Sequence, residues 1–106
     1  EKFIFTTVTT DEMEFYGVTG RELGGIVEQL RLTDGVEVAI FLYQTGEEEY
    51  KVSLRSKKKI DVAAIATQFG GGGHVRAAGA TLPYPAQEAM RRVLDVTEKV
   101  YRDKEA

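Results

Sequence analysis

The chain has no cysteine and one histidine, His74. Without cysteine there are no disulfides, no thiolate metal ligands and no cysteine nucleophile. A single histidine excludes a multi-histidine metal centre built within the chain. It also leaves no Ser/His/Asp set, because that histidine sits in a glycine run. Asp11, Glu12 and Glu14 cluster, but with no histidine beside them they read as a solvated acidic segment. No apolar run approaches the roughly 20 residues of a membrane helix, and no signal-peptide pattern opens the chain. A cytoplasmic location is therefore expected.

Positive charge is scarce where the chain begins. Residues 1–50 hold 3 basic and 11 acidic side chains, whereas residues 51–82 hold 6 basic ones and only Asp61 as an acid. The overall balance of −3 argues against loose binding along a nucleic-acid backbone. The local basic block fits an anionic ligand of limited size better than a long duplex. The 106 residues suffice for one domain with a modest core. Glu1 stands where a methionine would open a gene, and a strand-like run follows almost at once. The expectation is a single domain over residues 1–106, cut from a longer chain, with removal of a methionine by processing as the alternative.

What the chain does have is a run of four glycines, Gly70 to Gly73, ending in His74 and followed by Ala77, Ala78 and Gly79. Glycine lets the backbone take positive φ and lets a ligand approach its amides closely. Successive amides can form a concave nest for phosphate. A Gly-rich run is often only a flexible connector. This one lacks serine repetition and lies between an apolar helix-like segment and an apolar strand-like segment, so it reads as an ordered ligand loop.

Those flanking segments belong to an alternating pattern. Residues 3–8 read as a strand, and residues 9–18 as a loop. Thr19 and Glu22 have capping-box spacing ahead of Leu23, Ile26, Val27 and Leu30, one face of a helix. Residues 36–43 read as a strand covered on both faces. Residues 50–55 alternate, with Tyr50, Val52 and Leu54 facing one way and Lys51, Ser53 and Arg55 the other; the two runs should form a hairpin. Asp61 is a good N-cap for a helix buried through Val62, Ile65, Ala66 and Phe69. Gly70 falls where a helix-ending glycine belongs, which leaves Gly71 to Gly73 for a ligand. Residues 77–82 form a further strand. A last helix, entered at Pro85, shows Met90, Val93, Leu94, Thr97, Val100 and Tyr101 on one face, and its tail from Arg102 is expected to fray. The fold class is α/β: a mixed sheet of four or five strands flanked by about three helices.

The candidate site is Arg55 and Ser56 at a strand end together with Gly71, Gly72, Gly73, His74 and Gly79. An arginine fork binds phosphate bidentately. Glycine amides add fixed donors, and His74 can donate to phosphate or stack on a base. Lys57 to Lys59 read as a solvated turn, and Arg76 could face either ligand or water.

Residues 53–82, SLRSKKKIDVAAIATQFGGGGHVRAAGATL, resemble the signature of the DHHA1 domain, the C-terminal substrate-binding domain of DHH/DHHA1 phosphoesterases. The shared elements are S-x-R-S, the D-V-x-x-I-A helix and GGGGH-x-x-AAG. Residues 1–35 match only in pattern. The resemblance implies that Arg55, Ser56, Gly71 to Gly73 and His74 grip a nucleotide. It implies a metal cluster, usually Mn2+, in a separate DHH domain whose motif this chain lacks, so the isolated chain should bind and not catalyse. The oligoribonuclease type is the nearest match. It implies short single-stranded RNA and 3′-phosphoadenosine 5′-phosphate as substrates, no membrane partner, and room for a homodimer in the parent. Cyclic-dinucleotide phosphodiesterases and RecJ-like exonucleases share the motif. Alanyl-tRNA synthetase carries a related domain without the H-x-x-AAG continuation. A stand-alone nucleotide-binding module is the alternative outside catalysis, and a purely structural glycine turn is the third reading.

Overall fold

A computed structural model describes residues 3–12, 29, 32 and 35–105. Five strands make one mixed sheet: β1 (Phe3–Val8), β2 (Val38–Gly46), β3 (Glu49–Ser56), β4 (Gly72–His74) and β5 (Ala77–Leu82). Their order is β1-β2-β3-β5-β4. β1 runs parallel to β2, and the other neighbouring pairs are antiparallel. A parallel pair needs a long crossover, which residues 9–37 supply. The helix expected after Thr19 falls in that crossover and lies outside the described residues. Helices α1 (Val62–Thr67) and α2 (Ala86–Glu105) follow β3 and β5.

Strand β2 explains why its sequence is nearly continuous apolar. Val38, Ile40 and Leu42 enter the main core, while Ala39 and Phe41 are buried on the opposite side with Ile4, Val8 and Tyr43. The alternation in β3 comes out as expected: Tyr50, Val52 and Leu54 are buried, and Lys51 is exposed. The main core joins these residues to α1 through Val62, Ile65 and Ala66, and to α2 through Ala89 and Val93. Both helices therefore cover one face of the sheet.

The helix ends are set locally. The Asp61 carboxylate accepts from the amides of Ala63 and Ala64 at 3.0 and 3.2 Å, satisfying two donors that α1 leaves unpaired. Gly70 has φ +80°, the left-handed conformation glycine adopts without strain. Its N–H donates to Thr67 O at 3.1 Å, and the N–H of Gly71 donates to Ala66 O at 3.0 Å. These two bonds are the Schellman pattern that closes a helix. Helix α2 stays helical through Glu105, where fraying from Arg102 was expected. Tyr101 is packed edge-on against Phe3 at 5.6 Å, so little more than one turn extends past that anchor.

Candidate functional site

Residues paired across a sheet project to the same side, so the strand register maps the face opposite α1 and α2, which is buried at Ala39 and Phe41 of β2 and carries a cleft on β3, β5 and β4. Arg55 lies between Ala39 of β2 and Ala77 of β5, and Ala77 pairs with His74 of β4. In the next row Ser53 lies between Phe41 and Gly79, and Gly79 pairs with Gly72. In the third, Lys51 lies between Tyr43 and Thr81. Arg55 and His74 are thus two strands apart, with Cα atoms roughly 10 Å from each other. Between them runs a floor of Ala77, Gly79 and Gly72 that carries almost no side-chain bulk. A shallow cleft of about 280 Å³ opens here, lined by Arg55, Ser53, Lys51, Gly72, Gly73 and Gly79 among others.

The glycines of the run do different jobs. A Cβ on Gly71 would stand 2.2 Å from Gly79 O and 2.6 Å from Ala80 Cβ, so only glycine lets the turn close on β5. Gly73 has φ +142°, and a Cβ there would meet Ala78 Cα at 2.7 Å. Gly72 has neither constraint: its φ is not positive, and no atom lies within 4 Å of where its Cβ would be. Its missing side chain opens the cleft and serves no packing need. The amide of Gly71 is committed to Ala66, and Gly72 to His74 form a short strand rather than a free nest. β4 is the last strand of the sheet, so half of its backbone polar groups face away from β5.

The structure brings Arg55, Gly72, Gly73 and Gly79 into one cleft and leaves His74 exposed in the Arg55 row. It does not bring Ser56 there. Ser56 is fully buried on the side of Leu54, and its hydroxyl donates to Ile60 O at 2.6 Å. Arg76 also turns inward. Its Nη1 donates to Ile60 O at 2.8 Å and to Ser56 Oγ at 3.3 Å. Backbone bonds from Ser56 N to Arg76 O and from Val62 N to Val75 O complete this junction. Together they bolt the β4–β5 turn, and with it His74, to the end of β3 where Arg55 stands.

The basic turn after β3 is held by a carboxylate. Glu37 Oε2 accepts from the amides of Lys58, Lys59 and Ile60 at 3.1, 2.6 and 3.0 Å. Burial pushes the Glu37 carboxyl up, but these three donors and the nearby Arg76 charge outweigh it, and its pKa is lowered. The anion nest that backbone amides can make therefore occurs in residues 58–60, where it is filled from within the chain. Sequence reasoning passed over Lys51 and Ser53 as site residues, although the alternation of β3 already put both on the face of Arg55. Among the described residues no three His, Cys, Asp or Glu side chains gather to hold a metal ion, and no helix is long and apolar enough to cross a membrane.

The DHHA1 domain family model matches residues 1–103, and the chain belongs to that family. It is 42% identical over 71 residues to the bifunctional oligoribonuclease and PAP phosphatase NrnA of Thermus thermophilus, covering 66% of this chain and 22% of that protein. It is 29% identical over 89 residues to the NrnA of Bacillus subtilis, covering 84% of this chain and 28% of that protein. The chain thus spans about a quarter of the length of these relatives. Among solved structures, an exopolyphosphatase-related protein from Bacteroides fragilis superposes with a TM-score of 0.87 at 25% identity, over 98% of this chain and 31% of that one. The C-Ala domain of alanyl-tRNA synthetase from Aquifex aeolicus shares the fold, with a TM-score of 0.65 at 17% identity over 89% of this chain and 88% of that one.

Proposed function

We propose that this chain is the substrate-gripping domain of a metal-dependent phosphodiesterase that hydrolyses short oligoribonucleotides and accepts 3′-phosphoadenosine 5′-phosphate. The observation that carries this reading is the cleft itself, where Arg55, held by a hydrogen bond from its Nη1 to Leu54 O at 3.0 Å, lines a floor cleared of side chains at Gly72 and Gly79. The names of the relatives supply the substrate class. In this reading Arg55 holds a phosphate through its planar fork. The glycine floor admits the sugar–phosphate chain to close contact with backbone. His74 donates to a phosphate oxygen or stacks on a base.

The described residues do not form a metal site, so no chemical step is assigned to them. A DHH domain elsewhere in the parent would hold manganese and supply the hydrolytic chemistry. The contribution of this chain is to fix the substrate's position and so lower the entropic part of the barrier. The test is hydrolysis of a 5′-phosphorylated RNA dinucleotide by the full-length protein with Mn2+, beside amide-shift titration of this chain. Shifts centred on residues 72–74 and 79, weakened in Arg55→Ala and His74→Ala, together with turnover by the parent, are expected. Binding without turnover would instead favour a stand-alone nucleotide-binding module. Absence of both would overturn the proposal.

A further inference from the structure

We propose that Lys51 forms a second phosphate subsite in the same cleft, which makes the cleft selective for a nucleotide with two well-separated phosphates over one with a single phosphate. This inference rests on the reading of the cleft as a nucleotide site. Lys51 and Arg55 lie on one strand, four residues apart, and both line the cleft. Four residues of extended strand put their Cα atoms roughly 13 Å apart. Arg55 is anchored on its own strand, its Nη1 donating to Leu54 O at 3.0 Å, and Lys51 is exposed, so the two cations mark separate ends of the cleft.

The row between them is uncharged and low: Ser53, Gly79 and Gly72. Cation, flat polar floor, cation is the complement of phosphate, nucleoside, phosphate. A 5′-phosphorylated dinucleotide carries that pattern, with its terminal phosphate on one cation and its internal phosphodiester toward the other. The rows beside the two cations differ as well. Arg55 has Ala39 and Ala77 as neighbours, whereas Lys51 is flanked by Tyr43 and Thr81. The Lys51 end therefore offers an aromatic ring and a hydroxyl beside the charge.

The experiment uses the full-length protein, stripped of metal with EDTA so that nothing is hydrolysed. Adenosine 5′-monophosphate and the 5′-phosphorylated adenosine dinucleotide are titrated calorimetrically into the wild type and Lys51→Gln at several salt concentrations. Lys51 is exposed, so the substitution leaves the fold intact, which circular dichroism verifies. The wild type is expected to prefer the dinucleotide by about tenfold. Lys51→Gln should weaken the dinucleotide about fivefold and leave the mononucleotide within twofold. Its dinucleotide salt slope should fall by about 0.7, the share of one phosphate contact on a single strand. Equal weakening of both ligands, or of neither, overturns the assignment while the cleft stands as a nucleotide site. If neither ligand binds the wild type, the underlying reading fails and the Lys51 subsite with it.

Discussion

Arg76 Nη1 lies 2.8 Å from the carbonyl oxygen of Ile60 and donates a hydrogen bond to it, reaching from the β4–β5 turn to the connection ahead of α1. The same nitrogen reaches Ser56 Oγ at 3.3 Å. A side chain from the motif H-x-x-AAG therefore acts on structure, joining the strand that carries Arg55 to the turn that carries His74. Arg76→Met keeps the length of the side chain and removes its donors. It should lower stability by about 2 kcal/mol, the range for a hydrogen bond from a charged donor. Amide exchange should accelerate most at residues 72–77, where the turn loses its tie. Chemical denaturation and hydrogen exchange by NMR check both expectations. A variant as stable and as protected as the wild type would show that the backbone bonds alone hold the junction.

Gly71 and Gly72 are adjacent and should fail in opposite ways. A Cβ at Gly71 would stand 2.2 Å from the backbone oxygen of Gly79, and backbone cannot move aside cheaply. Gly71→Ala should cost about 3 kcal/mol or more, the upper range for overpacking. At Gly72 the Cβ meets nothing within 4 Å. Gly72→Ala should change stability by less than about 1 kcal/mol, as expected for a surface site without special backbone geometry. Its new methyl group would stand on the cleft floor, however, and nucleotide affinity should fall about tenfold. Thermal melts and nucleotide titrations of the two variants separate fold from site.

The contrast between those glycines also shows how far the sequence could be read. The alternation of Tyr50 to Arg55, the Asp61 cap and the helix-ending place of Gly70 are local signals, and each element came out within a few residues of its expected bounds. The glycine run promised an open nest because its composition permits one. Its actual form depends on pairing with β5, a tertiary choice that places Gly71 against Ala80 and turns residues 72–74 into a strand. Ser56 is a different case. It lies two residues after Leu54, so strand alternation already pointed it into the core, and its position in a functional motif obscured that signal.

Glu37 gives the fold a dependence on pH. Its carboxylate accepts three backbone donors from residues 58–60, and its pKa is lowered in the folded state despite partial burial. A group with a depressed folded-state pKa stabilises the fold fully above its unfolded value, about 4.3 for glutamate. That stability is lost as pH falls through the lower folded value. Glu37→Gln should therefore be less stable than the wild type at pH 7, by about 2 kcal/mol for hydrogen bonds to a charged acceptor. The difference should shrink below pH 4. Urea denaturation of both proteins from pH 7 to pH 3 measures it, and a gap that does not change with pH would show that the ionised carboxylate contributes nothing.

Arg55 and Ser56 are neighbours in the motif, yet they point to opposite faces of β3. Arg55 lines the open cleft, and Ser56 is fully buried with its hydroxyl on Ile60. Arg55→Lys keeps the positive charge and removes the planar fork, so a bidentate phosphate contact becomes a single one. Nucleotide affinity should drop about tenfold, while the melting temperature should hold. Ser56→Ala removes a buried hydrogen bond and leaves the Ile60 carbonyl with Arg76 as its donor, so stability should fall by about 1 kcal/mol. Its effect on affinity should stay within twofold when both proteins are folded, because the hydroxyl does not reach the cleft. Titration of the two variants well below their melting temperatures decides the matter. A tenfold loss of affinity in Ser56→Ala at unchanged stability would place the serine in contact with ligand and require the β3 terminus to rearrange on binding.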